Sequence, residues 1–427
     1  MKSSPHIAVI GAGAFGGWTA LHLLERGARV TLLDAWGPGN SRASSGGETR
    51  VMRGTYGPDQ PYTEMAARAL KLWAKYERRW KRQFLHRTGV LWMASAPGRN
   101  NDDAFERGSV EALRAAKIKF QQLSTPQMKK RWPQVNFEGI EWGIFEPDCG
   151  YLDARTSCQA VVEAFVAAGG RYRQAAVLAD ALEDGLLFGR APLLCGRAAL
   201  PGGRAALQGR VNRVKSERAL APVVAPSGDR SSPQSLKADV YIFACGPWLS
   251  QLFPQAIGNL VKPTKQDIFF FGPPAGDDRF SDAHLPVWAD HRGRFRYGIP
   301  GAISGDARRG FKIADDTRGP AFDPTDGERV VSQDTLKDIR EYVGFRFPAL
   351  KDAPLVETRV CQYEQTPDSN FILDRHPQNE NVWIVGGGSG HGFKHGPAVG
   401  EMMANLILKD RKPDAIFLLA RFKKTEL

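Results

Sequence analysis

Residues 6–34 constrain this chain more than any other stretch. A short apolar run from His6 to Ile10 leads into Gly11-Ala-Gly13-Ala-Phe-Gly16. An apolar helical stretch through Trp18, Leu21 and Leu24 follows, then a stop at Gly27 and a second apolar run ending on Asp34. Strand, glycine turn, helix, strand and acid in this order are the signature of a dinucleotide-binding βαβ unit. Gly11 permits the tight turn, Gly13 lets backbone N–H groups approach a pyrophosphate, and Gly16 lets the helix sit close on the sheet. The helix N-terminus offers partial positive charge to the phosphates. Asp34, 23 positions after Gly11, is spaced to accept hydrogen bonds from ribose hydroxyls.

The chain has room for more than this unit, since 427 residues at about 150 per domain predict two or three domains. With 42% hydrophobic and 24% charged residues, disorder is excluded. No apolar run reaches the ~18–20 residues that span a bilayer. The opening residues lack a cationic stretch followed by an apolar core and a cleavage site. A cytoplasmic chain without a membrane partner is therefore expected. The cysteines (149, 158, 195, 245 and 361) are odd in number and lack metal-ligand spacing, so neither a disulfide scaffold nor a metal site is predicted. The net charge of +12 comes from dispersed basic residues; the densest run, Arg78, Arg79, Lys81 and Arg82, lies on a helix whose other face is apolar. That pattern argues against a nucleic-acid partner and is compatible with a field that attracts an anionic cofactor or a carboxylate substrate.

Further along, a polar loop over 35–53 ends in Ser44-Ser45-Gly-Gly-Glu-Thr49-Arg50-Val-Met-Arg53. A helix follows, whose stripe of Met65, Ala69, Leu72, Trp73, Tyr76 and Trp80 reads as core. A helix is expected over 154–168 and a buried strand over 238–245, closed by Gly246-Pro-Trp248. Alternation at 265–271 and 294–314 predicts antiparallel strands. The segment 186–236, rich in Ala, Arg, Gly, Pro and Ser, is expected to be a partly irregular surface insertion. Near the end, a strand over 381–385 runs into Gly386-Gly-Gly388-Ser-Gly390-His391-Gly392-Phe-Lys394 and then a helix over 396–408. A second glycine loop thus meets a helix N-terminus, so both chain ends are expected to supply parts of one cofactor site.

GAGAFG with Asp34, SSGGETRVMR, ACGPW, RVCQYEQTPDSNFILD and GGGSGHGFKHGPAVG together resemble the sarcosine oxidase and N-methyltryptophan oxidase group of the D-amino-acid oxidase family. The resemblance spans nearly the whole chain outside 186–236. It implies an α/β plus antiparallel-β fold, with a Rossmann-type FAD-binding domain from 1–80, 150–258 and 366–420. A mainly antiparallel-sheet substrate domain would come from 81–149 and 259–365. It further implies FAD, bonded covalently through Cys361, and a cofactor site drawing on Gly11, Gly13, Gly16, Asp34, Ser44, Ser45, Thr49, Arg50, Gly246, Trp248, Gly388, Gly390, Gly392 and Lys394.

By the same resemblance, Arg50 lies beside the flavin ring and Arg53 with Lys394 holds a substrate carboxylate. Lys312 stands where O2 is reduced, and Tyr297 is a pocket aromatic. The implied activity is oxidation of a C–N bond in an N-methyl or cyclic amino acid by a monomeric enzyme, with O2 reduced to H2O2. One alternative is a flavin-dependent dehydrogenase with another electron acceptor; a second is a dinucleotide-binding module without redox turnover, for instance one that binds NAD. Two positions depart from the family: Gly46 and Asp316 stand where histidines are expected. An acid at 316 disfavours a second substrate carboxylate and favours a substrate with an extra amine. His391 keeps the GHGFK motif, with a backbone hydrogen bond as its simplest role.

Overall fold

A computed structural model describes residues 4–95, 103–178, 186–189, 234–291, 294–301, 309–409 and 411–424. The opening βαβ unit lies at the centre of a six-stranded sheet. His6–Ile10 pairs in parallel with Arg29–Asp34 on one side and with Val240–Phe243 on the other. Arg171–Gln174 extends the sheet beyond Arg29–Asp34; Asn379–Gly386 extends it beyond Val240–Phe243 and pairs with the antiparallel edge strand Ile372–His376. The central strands are almost wholly apolar because helices and other core segments cover both faces.

The helix Ala14–Glu25 packs against Gly396–Leu408, and glycines set that distance. A Cβ at Gly400 would lie 2.5 Å from the Trp18 backbone, and one at Gly16 only 1.9 Å from the Gly11 carbonyl oxygen. The predicted aromatic stripe on Gln60–Trp80 is core. Trp73 and Tyr76 are fully buried, and Trp18 stacks on Trp80 at 5.6 Å.

The second large sheet has eight strands in the order Leu355–Gln365, Lys262–Phe271, Phe311–Asp315, Arg296–Ile299, Val287–Asp290, Val90–Ser95, Ile140–Glu146 and Gln121–Ser124. Every neighbouring pair is antiparallel except Val287–Asp290 with Val90–Ser95. The stretch 294–314 contributes two antiparallel strands, Arg296–Ile299 and most of Phe311–Asp315, in line with the antiparallel strands expected there. The helix Gln333–Arg346 is locked to this sheet by an ion pair between Arg346 and Asp290 at 2.6 Å, both fully buried.

Two small sheets complete the frame. Thr49–Met52, Leu85–His86 and Gly150–Asp153 form the one that carries Arg50. The other joins Ala176–Leu178, Leu186–Gly189 and Gln234–Leu236. The segment 186–236, expected to be a partly irregular insertion, begins and ends as paired strands, and residues 190–233 lie outside the described ones. Among the described residues no helix is long and apolar enough to cross a membrane, and no cluster of three His, Cys, Asp or Glu side chains is arranged to hold a metal ion.

Candidate active site

The two glycine loops face each other across one cleft of about 440 Å³, within the roughly 300–1,000 Å³ typical of small-molecule and cofactor sites. Gly11 and Gly13 line it from one end of the chain, Gly388, Gly390 and Gly392 from the other, with Asp34, Ser44, Ser45, Gly246 and Trp248 between them. Gly11 adopts φ +102°, and a Cβ there would strike the Ala244 carbonyl oxygen at 2.3 Å. The helix Ala14–Glu25 has neither a side-chain cap nor an acid in its first turn, leaving its N–H groups open to an anion. Gly16 does not line the cleft; its task is the helix–sheet approach described above. Nor does Thr49, whose oxygens are used elsewhere.

Asp34 is engaged differently from expectation. Its carboxylate already accepts from the N–H groups of Ala12 (2.7 Å), Trp36 (2.9 Å) and Gly37 (2.7 Å). Burial raises its pKa and those three bonds oppose the rise. A carboxylate has about four acceptor positions, so these bonds fix its orientation and leave capacity for a hydroxyl. Two buried polar atoms in the cleft, Ser44 Oγ and Glu364 Oε2, have no hydrogen-bond partner among the described residues. Open helix N–H groups, an oriented acid and unpaired buried oxygens fit a dinucleotide with hydroxyl groups.

A second cavity of about 70 Å³ adjoins the first and shares Arg50, Tyr363, Gly390 and Phe393 with it. Arg53, Trp92, Tyr297, Asp316, Cys361 and Lys394 are among its walls. Arg50 donates to the carbonyls of Ser44 (2.6 Å), Gly46 (2.5 Å) and Thr49 (2.8 Å), and its Nη2 lies 3.6 Å from Cys361 Sγ. A Cβ at Gly46 would fall 2.2 Å from the Asn40 carbonyl oxygen, so this turn has no room for the histidine of the family. Arg53 is held by the Thr55 carbonyl and lies between two aromatic faces, 4.1 Å from the Tyr56 centroid and 5.0 Å from that of Trp92. Lys394, 3% exposed, donates to Tyr56 Oη at 2.7 Å and to the His391 carbonyl at 2.8 Å. Burial, with Arg53 nearby, drives its pKa far below the ordinary lysine value.

Lys312 is on the sheet face that Ala314 and Asp316 share, as period two requires. Its side chain does not line the cavity itself. Nζ donates to Thr49 O (3.0 Å) and Thr49 Oγ1 (3.3 Å), and burial, with Arg50 beside it, brings its pKa down to about 7. Asp316 accepts from Tyr363 Oη at 2.5 Å; burial raises its pKa to about 6 against the pull of that bond, Arg53 and Lys394. Burial, with Asp316 nearby, holds Tyr297 in its phenol form. His391 does more than meet the backbone: Nε2 donates to the Ser369 carbonyl at 3.0 Å and Nδ1 lies 3.3 Å from Tyr56 Oη. Burial lowers its pKa to about 3.

All four cations, Arg50, Arg53, Lys312 and Lys394, thus bond to neutral oxygens rather than to carboxylates. Basic groups met only in this way, two of them buried and two half-buried, keep their pull for an arriving anion. Several residues that shape the site escaped the sequence reading. Tyr56 takes part in the Lys394 and histidine contacts, and Trp92 covers Arg53. Glu146 is fully buried and accepts from Gly54 N (2.6 Å), Thr55 N (3.2 Å) and Thr55 Oγ1 (2.6 Å), fixing the turn that carries Arg53. Glu364 stood inside the RVCQYEQTPD motif, so a lone acid between Tyr363 and Gln365 was a usable signal. Trp92 and Glu146, in ordinary strand sequence, gave none.

The profile of the DAO family, FAD dependent oxidoreductase, matches residues 6–406. The chain is 27% identical over 413 residues to monomeric sarcosine oxidase of Bacillus sp. (strain B-0618), covering 96% of this chain and 93% of that protein. It is 25% identical over 425 residues to N-methyl-L-tryptophan oxidase of Yersinia pestis (strain Pestoides F), covering 98% and 99%. In three dimensions it resembles L-proline dehydrogenase from P. horikoshii, with TM-score 0.75 and 19% identity over the full length of both chains.

Proposed function

This chain belongs to the DAO family of FAD-dependent oxidoreductases, whose sarcosine oxidase-like members act on amino-acid C–N bonds, and from that premise we propose that it oxidises a secondary or cyclic amino acid with O2 as acceptor. The observation that carries the reading is the set of four basic side chains around the joined cavities, Lys312 and Lys394 buried and Arg50 and Arg53 half-buried, whose hydrogen bonds among the described residues go to neutral groups rather than to carboxylates. When bound, FAD supplies the two-electron chemistry that turns the substrate C–N bond into C=N and reduces O2 to H2O2. In this reading 1–80, 150–258 and 366–420 form the cofactor unit, and 81–149 and 259–365 cover the substrate.

The chain's own residues bind and orient. Arg53, clamped between Tyr56 and Trp92, presents a planar fork to the substrate carboxylate, and Lys394 supplies a second cation. Fixing the carboxylate at two points sets the reacting C–H and lowers the entropic cost of the step. Tyr297 and the aromatic walls exclude water. Lys312 offers a positive charge where negative charge develops during oxygen reduction. Cys361, with Arg50 against its sulfur, is the covalent anchor, and the protein works as a monomer.

The test is a panel of N-methyl and cyclic amino acids mixed without air with the purified yellow protein. Bleaching by at least one member, and prompt return of colour on admitting air, is the expected result. Absence of bleaching across the panel overturns the substrate reading. Bleaching with recovery much slower than turnover transfers the electrons to another acceptor, the alternative that the likeness to a dehydrogenase keeps in view.

A further inference from the structure

Glu364 is 8% exposed, lines the larger cleft, and leaves Oε2 with no hydrogen-bond partner among the described residues. The surrounding backbone has formed around this side chain. A Cβ on Gly388 would lie 2.9 Å from its Oε1, one on Gly386 would lie 3.1 Å from Oε2, and one on Gly246 3.7 Å from Oε2. The Gly387 and Gly388 N–H groups face the carboxylate and favour its ionised form, while burial raises its pKa to about 7. An unpaired buried carboxylate oxygen is costly, so its presence in a ligand cleft points to a donor that arrives with the ligand.

Position identifies the donor. Glu364 lies three residues after Cys361 on the strand Leu355–Gln365, and the intervening Tyr363 lines both cavities. At about 3.3 Å per residue, its Cα lies roughly 10 Å along the strand from that of Cys361. The pyrophosphate end of the cleft is at Gly11, Gly13 and the open helix N-terminus. Glu364 therefore falls between the phosphate end and the ring end. A phosphate at this carboxylate would be repelled, and a ring edge has little to donate. The segment of FAD that must cross here is its polyol chain, which is uncharged and bears three O–H donors.

We propose that Glu364 accepts a hydrogen bond from one hydroxyl of the flavin polyol chain and so selects a flavin nucleotide for this cleft and sets its position. The proposal rests on the reading that the cofactor is FAD. It makes Glu364 a cofactor-positioning residue outside the chemical step.

The test is reversible binding to the full chain carrying Cys361→Ser and stripped of flavin, followed by quenching of flavin fluorescence. The titrants are FAD and its 2′-, 3′- and 4′-deoxyribityl analogues. With Glu364 in place, one of the three analogues is expected to bind about 10- to 100-fold more weakly than FAD, the range of a hydrogen bond to a charged group. Glu364→Gln should weaken FAD by a similar factor and that same analogue by far less, because the partner hydroxyl is already gone. The analogue series on the unsubstituted residue gives an answer even if Glu364→Gln folds poorly. The proposal is overturned if all three analogues match FAD, or if Glu364→Gln leaves FAD binding unchanged or weakens every titrant equally. Failure of FAD itself to bind the Glu364 protein would instead defeat the cofactor reading beneath it.

Discussion

Replacing Lys312 by methionine separates the two things this buried lysine is expected to do. Its side chain is 3% exposed, its Nζ is bonded among the described residues to the two oxygens of Thr49, and burial beside Arg50 brings its pKa from 10.5 to about 7. With that value, about nine-tenths of the molecules carry the charge at pH 6 and about one-tenth at pH 8. If the charge assists electron transfer to O2, reoxidation of the reduced enzyme falls roughly tenfold between pH 6 and pH 8. Negative charge on the reduced ring moves the inflection upward only. Lys312→Met should slow reoxidation by about 10²–10³, the loss seen when one preorganised electrostatic group is removed, and flatten the profile. The assay is stopped-flow mixing of anaerobically reduced protein with aerated buffer from pH 5.5 to 9. Stability supplies the second readout. Between about pH 7 and 10.5 the unfolded chain holds this proton and the folded one does not, so the group's penalty grows as pH falls and is complete below about 7. A shift from 10.5 to about 7 sets a ceiling of about 5 kcal/mol on that penalty. Lys312→Met should therefore melt higher than the parent at pH 6, with the gap closing towards pH 10. A parent profile that is flat or rises with pH, or a variant that reoxidises normally, would refute the role in oxygen reduction. A variant that melts lower at pH 6 would refute the electrostatic argument itself.

Cys361→Ser should leave the fold intact while releasing the yellow cofactor into the supernatant on acid precipitation; colour remaining in the pellet would place the anchor elsewhere. Lys394→Met should raise KM for an amino acid by about tenfold or more and leave the affinity for its methyl ester nearly unchanged, and equal losses for both would remove the carboxylate role. Because burial suppresses the Lys394 charge and an arriving anion restores it, binding of a carboxylate inhibitor at pH 8 should take up a proton, measured by calorimetry in two buffers of different ionisation enthalpy. Asp316→Asn should shift relative kcat/KM towards iminodiacetate over N-methylglycine by roughly tenfold or more, since one of two like charges facing the same small cavity is removed. An unchanged ratio would show that Asp316 does not face the second carboxylate.

The parts of the fold that were readable in the sequence are those whose cause is local. His6–Ile10, the Gly11–Gly16 turn, Ala14–Glu25 and Arg29–Asp34 each follow from apolar runs and glycines within a few residues, and the pattern itself names the sheet. The helix Gly396–Leu408 and the strand before it were visible for the same reason. The order of the eight-stranded sheet was not. Its one parallel contact joins Val90–Ser95 to Val287–Asp290, almost two hundred residues apart, and the apolar alternation in those strands is the same whichever neighbour they take.

The site shows the same division for a chemical reason. Glycines that admit a phosphate, a cysteine on a strand and basic residues beside a glycine loop are unusual enough to be marked in a linear sequence. What makes them act together is generic: Glu146 holds the Arg53 turn, Tyr56 meets Lys394, and Thr49 takes Lys312 instead of contributing to the cofactor cleft. Each is a common residue at an unremarkable position, given meaning only by a contact across 92 to 338 residues of chain. The outcome of those contacts has a sign. Every one of the four basic site residues is oriented by a neutral oxygen, and Asp34, Glu146 and Asp316 accept from backbone N–H groups or a tyrosine hydroxyl. Pairing the cations with Glu146 or Asp316 would have stabilised the empty protein at the expense of its attraction for a carboxylate or a reduced flavin. Leaving them unpaired keeps the four basic groups available to an arriving anion, and the low pKa of Lys312 and Lys394, set first by burial, is the thermodynamic trace of that arrangement.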